Sequence, residues 1–168
     1  MEPLERAKQE FIKSYDEHAD ALFRHCFFKV SDKEKAEDLV QETFVRTWKY
    51  ISSGKEVRNI KTFLYRVASN LIIDYYRQGK NVSLDQLSEK GFDFSEARDE
   101  ILENAEFSRV KDLIDELSEK DKEIIIWRFL DGLSPSEIAD VLNIKENAAS
   151  VRLNRAMKKL KEKMDTLE

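Results

Sequence analysis

Apolar residues recur at intervals of three and four along most of this chain, the spacing that puts them on one side of an α-helix. From Leu4 to about Val30, Phe11, Tyr15, Ala19, Leu22, Phe23 and Cys26 keep that spacing and predict one long helix. Ser31 with Glu34 reads as a capping box that opens a second helix. There Ala36, Leu39, Val40, Thr43, Phe44, Thr47, Trp48 and Ile51 form the core face, Glu37, Asp38, Gln41, Glu42, Arg46 and Lys49 form the outer one, and Ser52-Ser53-Gly54 stops the helix. A basic loop runs to about Asn59. A third helix, Ile60 to Arg77, buries Ile60, Phe63, Leu64, Val67, Ala68, Leu71, Ile72 and Tyr75. Lys61, Tyr65, Arg66, Ser69, Asn70, Ile73, Tyr76 and Arg77 lie off that stripe. Exposed Tyr and Ile among cations and an amide suit stacking on, and edge recognition of, single-stranded bases. A plain surface tyrosine is the simpler reading of either Tyr alone.

The rhythm fades between Gly79 and about Arg98, where glycines, serines and charges mix, and this stretch reads as a linker. The domain plan is therefore 1–78, a connector at 79–98, and 99–168. The second half opens with a helix burying Phe107, Val110, Leu113, Ile114 and Leu117. Ser118 caps the next helix, whose run Ile124-Ile125-Ile126-Trp127, with Phe129 and Leu130, is expected to pack beneath the last two helices. Those two make a helix-turn-helix pattern. Gly132 suits a left-handed stop, Ser134 and Glu137 make a capping box around Pro135, and Ile138, Ala139 and Leu142 give a short helix its apolar side. Asn143 takes the left-handed turn. On the helix after it, Ala149, Leu153, Ala156 and Leu160 share one face, leaving Arg152, Arg155 and Lys159 on another, as in a recognition helix. Trp48 and Trp127 sit on apolar stripes and read as core anchors.

Composition agrees with an all-α protein of two small helical domains: 168 residues hold only four Gly and two Pro, and 38% are charged. Cys26 is alone, so an internal disulfide and a cysteine-cluster zinc site are excluded; it reads as a buried small hydrophobe beside an exposed His25. Without an apolar run of membrane-spanning length or a positive-then-apolar leader, neither membrane insertion nor secretion is expected, and the location is read as cytoplasmic. No cofactor, metal or enzymatic activity is expected, because no Gly-rich phosphate loop occurs and His18 and His25 both fall in the first helix, away from any nucleophile or metal set.

The net charge of −5 conceals a segregation. Lys145 to Lys163 carry seven basic and two acidic residues, and Lys55 to Lys80 carry six and two. Ser83 to Glu106, by contrast, carry two basic and eight acidic residues. Any one such run is most often a solvated helix face. Two basic modules around an acidic connector suit DNA contact at two places.

Three segments, in order, resemble one family. Ala36 to Trp48 looks like the polymerase-binding helix of bacterial sigma factors, Phe63 to Arg77 is similar to the promoter-melting helix, and Leu117 to Leu160 resembles the promoter-binding domain. The spacing is that of the small two-domain, extracytoplasmic-function group. The resemblance implies binding of core RNA polymerase, at the largest-subunit clamp helices through Asp38, Gln41, Glu42, Arg46 and Lys49, and at the second-subunit flap. It implies minus-10 promoter DNA contact by Lys55, Arg58, Lys61, Tyr65, Arg66, Asn70, Ile73, Tyr76 and Arg77. Asn70, Ile73 and Tyr76 would stand near an extruded base, whose recognition repays a few kcal/mol of unstacking. It implies minus-35 contact in the major groove by Asn147, Ala148, Ser150, Val151, Arg152, Arg155 and Lys159, where a bidentate Arg–guanine pair adds about 1 to 3 kcal/mol of discrimination. An anti-sigma protein is a further implied partner. The acidic connector would occupy the polymerase cleft or act as a plain tether.

Two other readings stay open on sequence grounds. One is a sigma-like adaptor that binds polymerase without reading promoters; the other is a stand-alone helix-turn-helix regulator, which would need a dimer seam and a palindromic site.

Overall fold

The computed structural model describes residues 2–78 and 105–166, with the side chains of 105–108 not described. Every regular element among these residues is helical. The chain divides into two units, 1–93 and 94–168. The connector expected at 79–98 and the burial expected of Phe107 lie outside the described residues.

In the first unit, α1 (Pro3–Val30), α2 (Lys33–Ser52) and α3 (Ile60–Gln78) pack pairwise around a core that includes Leu22, Cys26, Ala36, Phe44, Leu64 and Ala68. Pro3 starts α1 where its missing N–H costs nothing. The corner to α2 differs from the expected capping box. Ser31 adopts the left-handed conformation (φ 56°) and closes α1, its N–H donating to the Phe27 carbonyl, while Asp32 caps α2 by accepting from the Lys35 N–H at 3.1 Å. A two-residue corner needs one residue in that conformation, and a carboxylate at a helix N-terminus also meets the positive end of the helix dipole. Two core threonines on α2 satisfy their hydroxyls internally: Thr43 donates to the Leu39 carbonyl and Thr47 to that of Thr43, each at 2.7 Å. They therefore fit an apolar face without an unpaired polar atom. Phe11 meets Phe44 and Trp48 edge-on or tilted at 5.9 and 5.2 Å, which anchors α1 to α2.

On α3, Leu64, Ala68, Leu71 and Ile72 are buried as expected, but the buried arc extends beyond that stripe. Tyr65 and Ser69 are buried, whereas Phe63 and Val67 are half-buried. A helix packed against two neighbours buries a wider arc than a single stripe. His25 is likewise buried rather than exposed, edge-on to Tyr65 at 5.5 Å.

The second unit contains α4 (Ala105–Asp115), α5 (Glu119–Ile125) running into a π-helical turn (Ile126–Leu130), α6 (Pro135–Leu142) and α7 (Glu146–Asp165). Ser118 caps α5 by accepting from the Asp121 N–H. Ile124, Ile125, Ile126 and Trp127 are buried as expected, but Phe129 and Leu130 are exposed, at 60% and 39%. The turn explains the difference: the Asp131 N–H donates to the Ile126 carbonyl, five residues back, and this extra residue per turn swings the end of the apolar run outward. No helix among the described residues is long and apolar enough to cross a membrane.

Candidate nucleic-acid and polymerase interfaces

The helix-turn-helix is built by backbone geometry that few residues accept. Gly132 has φ +69° and Asn143 φ +55°, left-handed positions that an L side chain other than Asn or Asp rarely takes. Between them Ser134 Oγ accepts from the Glu137 N–H at 3.1 Å while the Glu137 carboxylate accepts from the Ser134 N–H at 3.0 Å, a complete capping box. Ile138, Ala139 and Val141 bury α6, and Ala149, Leu153, Ala156 and Leu160 bury α7. Ala149 and Ala156 are 1% and 0% exposed, so only small side chains fit at those two positions on α7. Burial of that stripe turns Asn147, Ala148, Val151, Arg152, Arg155 and Lys159 to the surface, with Ser150 half-buried at its margin. Lys159 differs from the two arginines in holding Asp121 at 2.9 Å.

On α3 the surface carries a second line. Arg66, Asn70, Ile73 and Arg77 are all exposed and spaced by four, three and four residues, so cation, amide, aliphatic group and cation follow one another along one side of the helix. Tyr76 flanks it, 47% exposed, with its hydroxyl donating to the Lys29 carbonyl at the end of α1. That bond fixes the ring. Tyr75, next to it, is half-buried, and burial together with the nearby Asp32 carboxylate raises its hydroxyl above the ordinary tyrosine range. Tyr65, expected at this surface, is 1% exposed and belongs to the core. Lys61 is half-buried. Lys55 and Arg58 are exposed in the loop between α2 and α3, Lys55 lying 5.0 Å above the Tyr50 ring. Asn59 starts α3 by accepting from the Thr62 N–H.

On α2, Asp38, Gln41, Glu42, Arg46 and Lys49 lie on the outer face, with Asp38, Gln41, Glu42, Arg46 and Lys49 all turned away from the core stripe. Glu42 and Arg46 pair at 2.9 Å, an exposed i,i+4 bond that sets side-chain geometry more than stability. Val45, 45% exposed, stands among them. Val45 lies off the apolar stripe, so periodicity does not single it out; an apolar residue within a charged helix face is the signal that does. None of the described residues forms a cluster able to hold a metal ion.

The described residues thus form two helical units, one carrying a helix-turn-helix with exposed arginines and the other an exposed line of cation, amide and aliphatic side chains. Comparison with known proteins identifies the family. Residues 14–82 match the family model for Sigma-70 region 2, and residues 107–160 match that for Sigma-70, region 4. The ECF RNA polymerase sigma factor SigL of Mycobacterium tuberculosis is 33% identical over 152 residues, 88% of this chain and 84% of SigL. BldN of Streptomyces coelicolor, another ECF sigma factor, is 30% identical over 95% of this chain, which spans 64% of the length of BldN. The fold is also that of the sigma factor RpoE of Bartonella quintana, solved with the anti-sigma factor NepR, at a TM-score of 0.67 and 23% identity over 94% of this chain and 98% of RpoE. The chain belongs to the sigma-70 family, in its extracytoplasmic-function group: a promoter-specificity factor in transcription initiation, not an enzyme.

Proposed function

We propose that the first unit docks on core RNA polymerase through α2 and reads the minus-10 element through α3, and that the second reads the minus-35 element through α7. The observation that carries this reading is the exposed line Arg66, Asn70, Ile73 and Arg77. A duplex-only reader needs cations; an amide and an aliphatic group set between cations serve a base that has left the stack. Asn70 can hydrogen-bond a base edge, Ile73 and the fixed Tyr76 ring offer apolar surface to its face, and Arg66 and Arg77 hold the flanking phosphates. Lys55, Arg58 and Lys61 extend the positive potential along the strand. Strand opening is then driven by binding energy, because a pocket that repays unstacking only for the right base couples recognition to melting.

On α2, Asp38, Gln41, Glu42, Arg46 and Lys49 present mixed charge around Val45, suited to a specific and reversible contact with the clamp helices of the largest subunit. On α7, Asn147, Ala148, Ser150, Val151, Arg152 and Arg155 face the major groove, the two arginines supplying guanine or phosphate contacts. The second-subunit flap is the polymerase partner of the second unit. An anti-sigma protein, of the kind that RpoE meets in NepR, is the regulatory partner, and the protein acts in the cytoplasm.

In vitro transcription from a randomised promoter library, with bacterial core polymerase and sequencing of transcript starts, tests this reading. Starts that depend on the protein, share two upstream elements and weaken in Asn70→Ala or Arg152→Ala are expected. Tight core binding with no dependent starts would replace it with the adaptor reading, and a palindromic site bound without polymerase would replace it with the stand-alone regulator.

A further inference from the structure

Arg152, Arg155, Lys159 and Lys163 follow one another along one side of α7, and the spacing by itself does not separate Lys159 from the two arginines. The packing divides them. Arg152 and Arg155 are exposed and have no carboxylate partner among the described residues, whereas Lys159 Nζ lies 2.9 Å from Asp121 Oδ2 and Lys163 Nζ 3.5 Å from Glu116 Oε2. Asp121 is itself held in place, by its N–H on the Ser118 hydroxyl at the start of α5. Its carboxyl sits below the ordinary aspartate range, first because it accepts a hydrogen bond from Lys159; Ser118 and the Lys159 charge act in the same direction, and burial opposes them. A further pair, Lys122 with Asp115 at 3.0 Å, ties α5 to the end of α4. Ion pairs therefore line the junction of α4, α5 and α7.

We propose that Lys159 is a positioning residue, which through Asp121 fixes the angle of the recognition helix against α5, and that the DNA-contacting part of α7 ends at Arg155. The inference rests on the minus-35 reading above and redraws its boundary. An ammonium bonded to a carboxylate carries little net field toward a phosphate, and a phosphate brought to it would also meet the Asp121 charge. A paired lysine releases few counterions from DNA, while an unpaired arginine releases its full share.

The test uses holoenzyme, assembled from core RNA polymerase and the full chain, on a promoter duplex taken from the library selection, with affinity measured across a series of salt concentrations. Removing one cation that neutralises a phosphate flattens the log–log salt slope by about 0.9. Arg155→Met is expected to flatten it; Lys159→Met is expected to weaken binding by about twofold to fivefold with the slope unchanged. The exchange Lys159→Asp with Asp121→Lys should restore the affinity that Lys159→Asp alone loses, and Lys159→Arg should keep it. A slope flattened by Lys159→Met as much as by Arg155→Met, or an exchange that restores nothing, overturns the proposal. Should Arg152→Met and Arg155→Met both leave the slope unchanged, the minus-35 reading itself fails. The Lys159–Asp121 link is then read on the free chain, by a double-mutant cycle of Lys159→Met and Asp121→Asn in thermal unfolding, and strict additivity there overturns the positioning role too.

Discussion

Replacing Ser134 with alanine removes one half of the reciprocal cap that opens the helix-turn-helix. Its hydroxyl accepts from the Glu137 N–H at 3.1 Å, and the Glu137 carboxylate returns a bond to the Ser134 N–H at 3.0 Å. Loss of a serine N-cap costs about 1 kcal/mol, within a range of about 0.5 to 2. α6 has eight residues, so little internal hydrogen bonding backs the cap up. In a domain of this size about 1 kcal/mol lowers the melting temperature by about 4 to 8 °C. Calorimetry of the full chain should show that drop in the transition of the second unit and none in the first. Glu137→Ala removes the other half, and because the two bonds share one ring of atoms, the double variant should fall short of additivity by about 0.5 kcal/mol or more. A domain with about 5 kcal/mol of stability that loses about 1 stays almost wholly folded at 25 °C, so promoter binding at that temperature should be unchanged. A shift under about 1 °C, strict additivity, or an equal drop in the first unit would refute the view of the cap as a local device of the second unit.

Gly132→Ala should cost about 1 to 2 kcal/mol from backbone strain alone, since φ is +69° and an added Cβ would meet nothing within 4 Å; Gly132→Asn should cost less, as melting curves of the pair will show. Leu64→Ala, at a side chain 0% exposed, should cost about 2 to 5 kcal/mol and be seen as early unfolding of the first unit in urea. The lowered Asp121 carboxyl gives the second unit stability that is present above the ordinary aspartate range and is lost as pH falls through the folded-state value, so Asp121→Asn should flatten the acid limb of its pH–stability curve. The raised Tyr75 hydroxyl acts at the other end: its stability is full below the ordinary tyrosine range and is lost as pH rises through the higher folded-state value, and Tyr75→Phe should remove that alkaline limb in the first unit.

Helices, their stops and the helix-turn-helix were legible in the sequence because the signals are local. Periodicity, a Ser134–Glu137 capping box, and Gly132 and Asn143 at left-handed positions depend on residues a few places apart, and the structure places each as the spacing predicts. The outer face of α2 and the buried stripe of α7 came from the same short-range rule. Other features depend on what packs against an element, and there the local pattern was blind. Tyr65 looks like a surface residue of α3 until α1 brings His25 against it; Phe129 and Leu130 look like core until the π-helical turn rotates them outward. Ser31 reads as the cap of α2, but the corner puts it in the left-handed conformation that closes α1, and Asp32 caps α2 instead. Lys159 reads as one more DNA-facing cation along α7, and only the fold, by setting Asp121 38 positions away within hydrogen-bond reach, separates it from Arg155. Sequence by itself determined which faces exist, through periods of three and four; tertiary structure decided which residues those faces keep, because burial and ion pairing are set by neighbours distant in the chain.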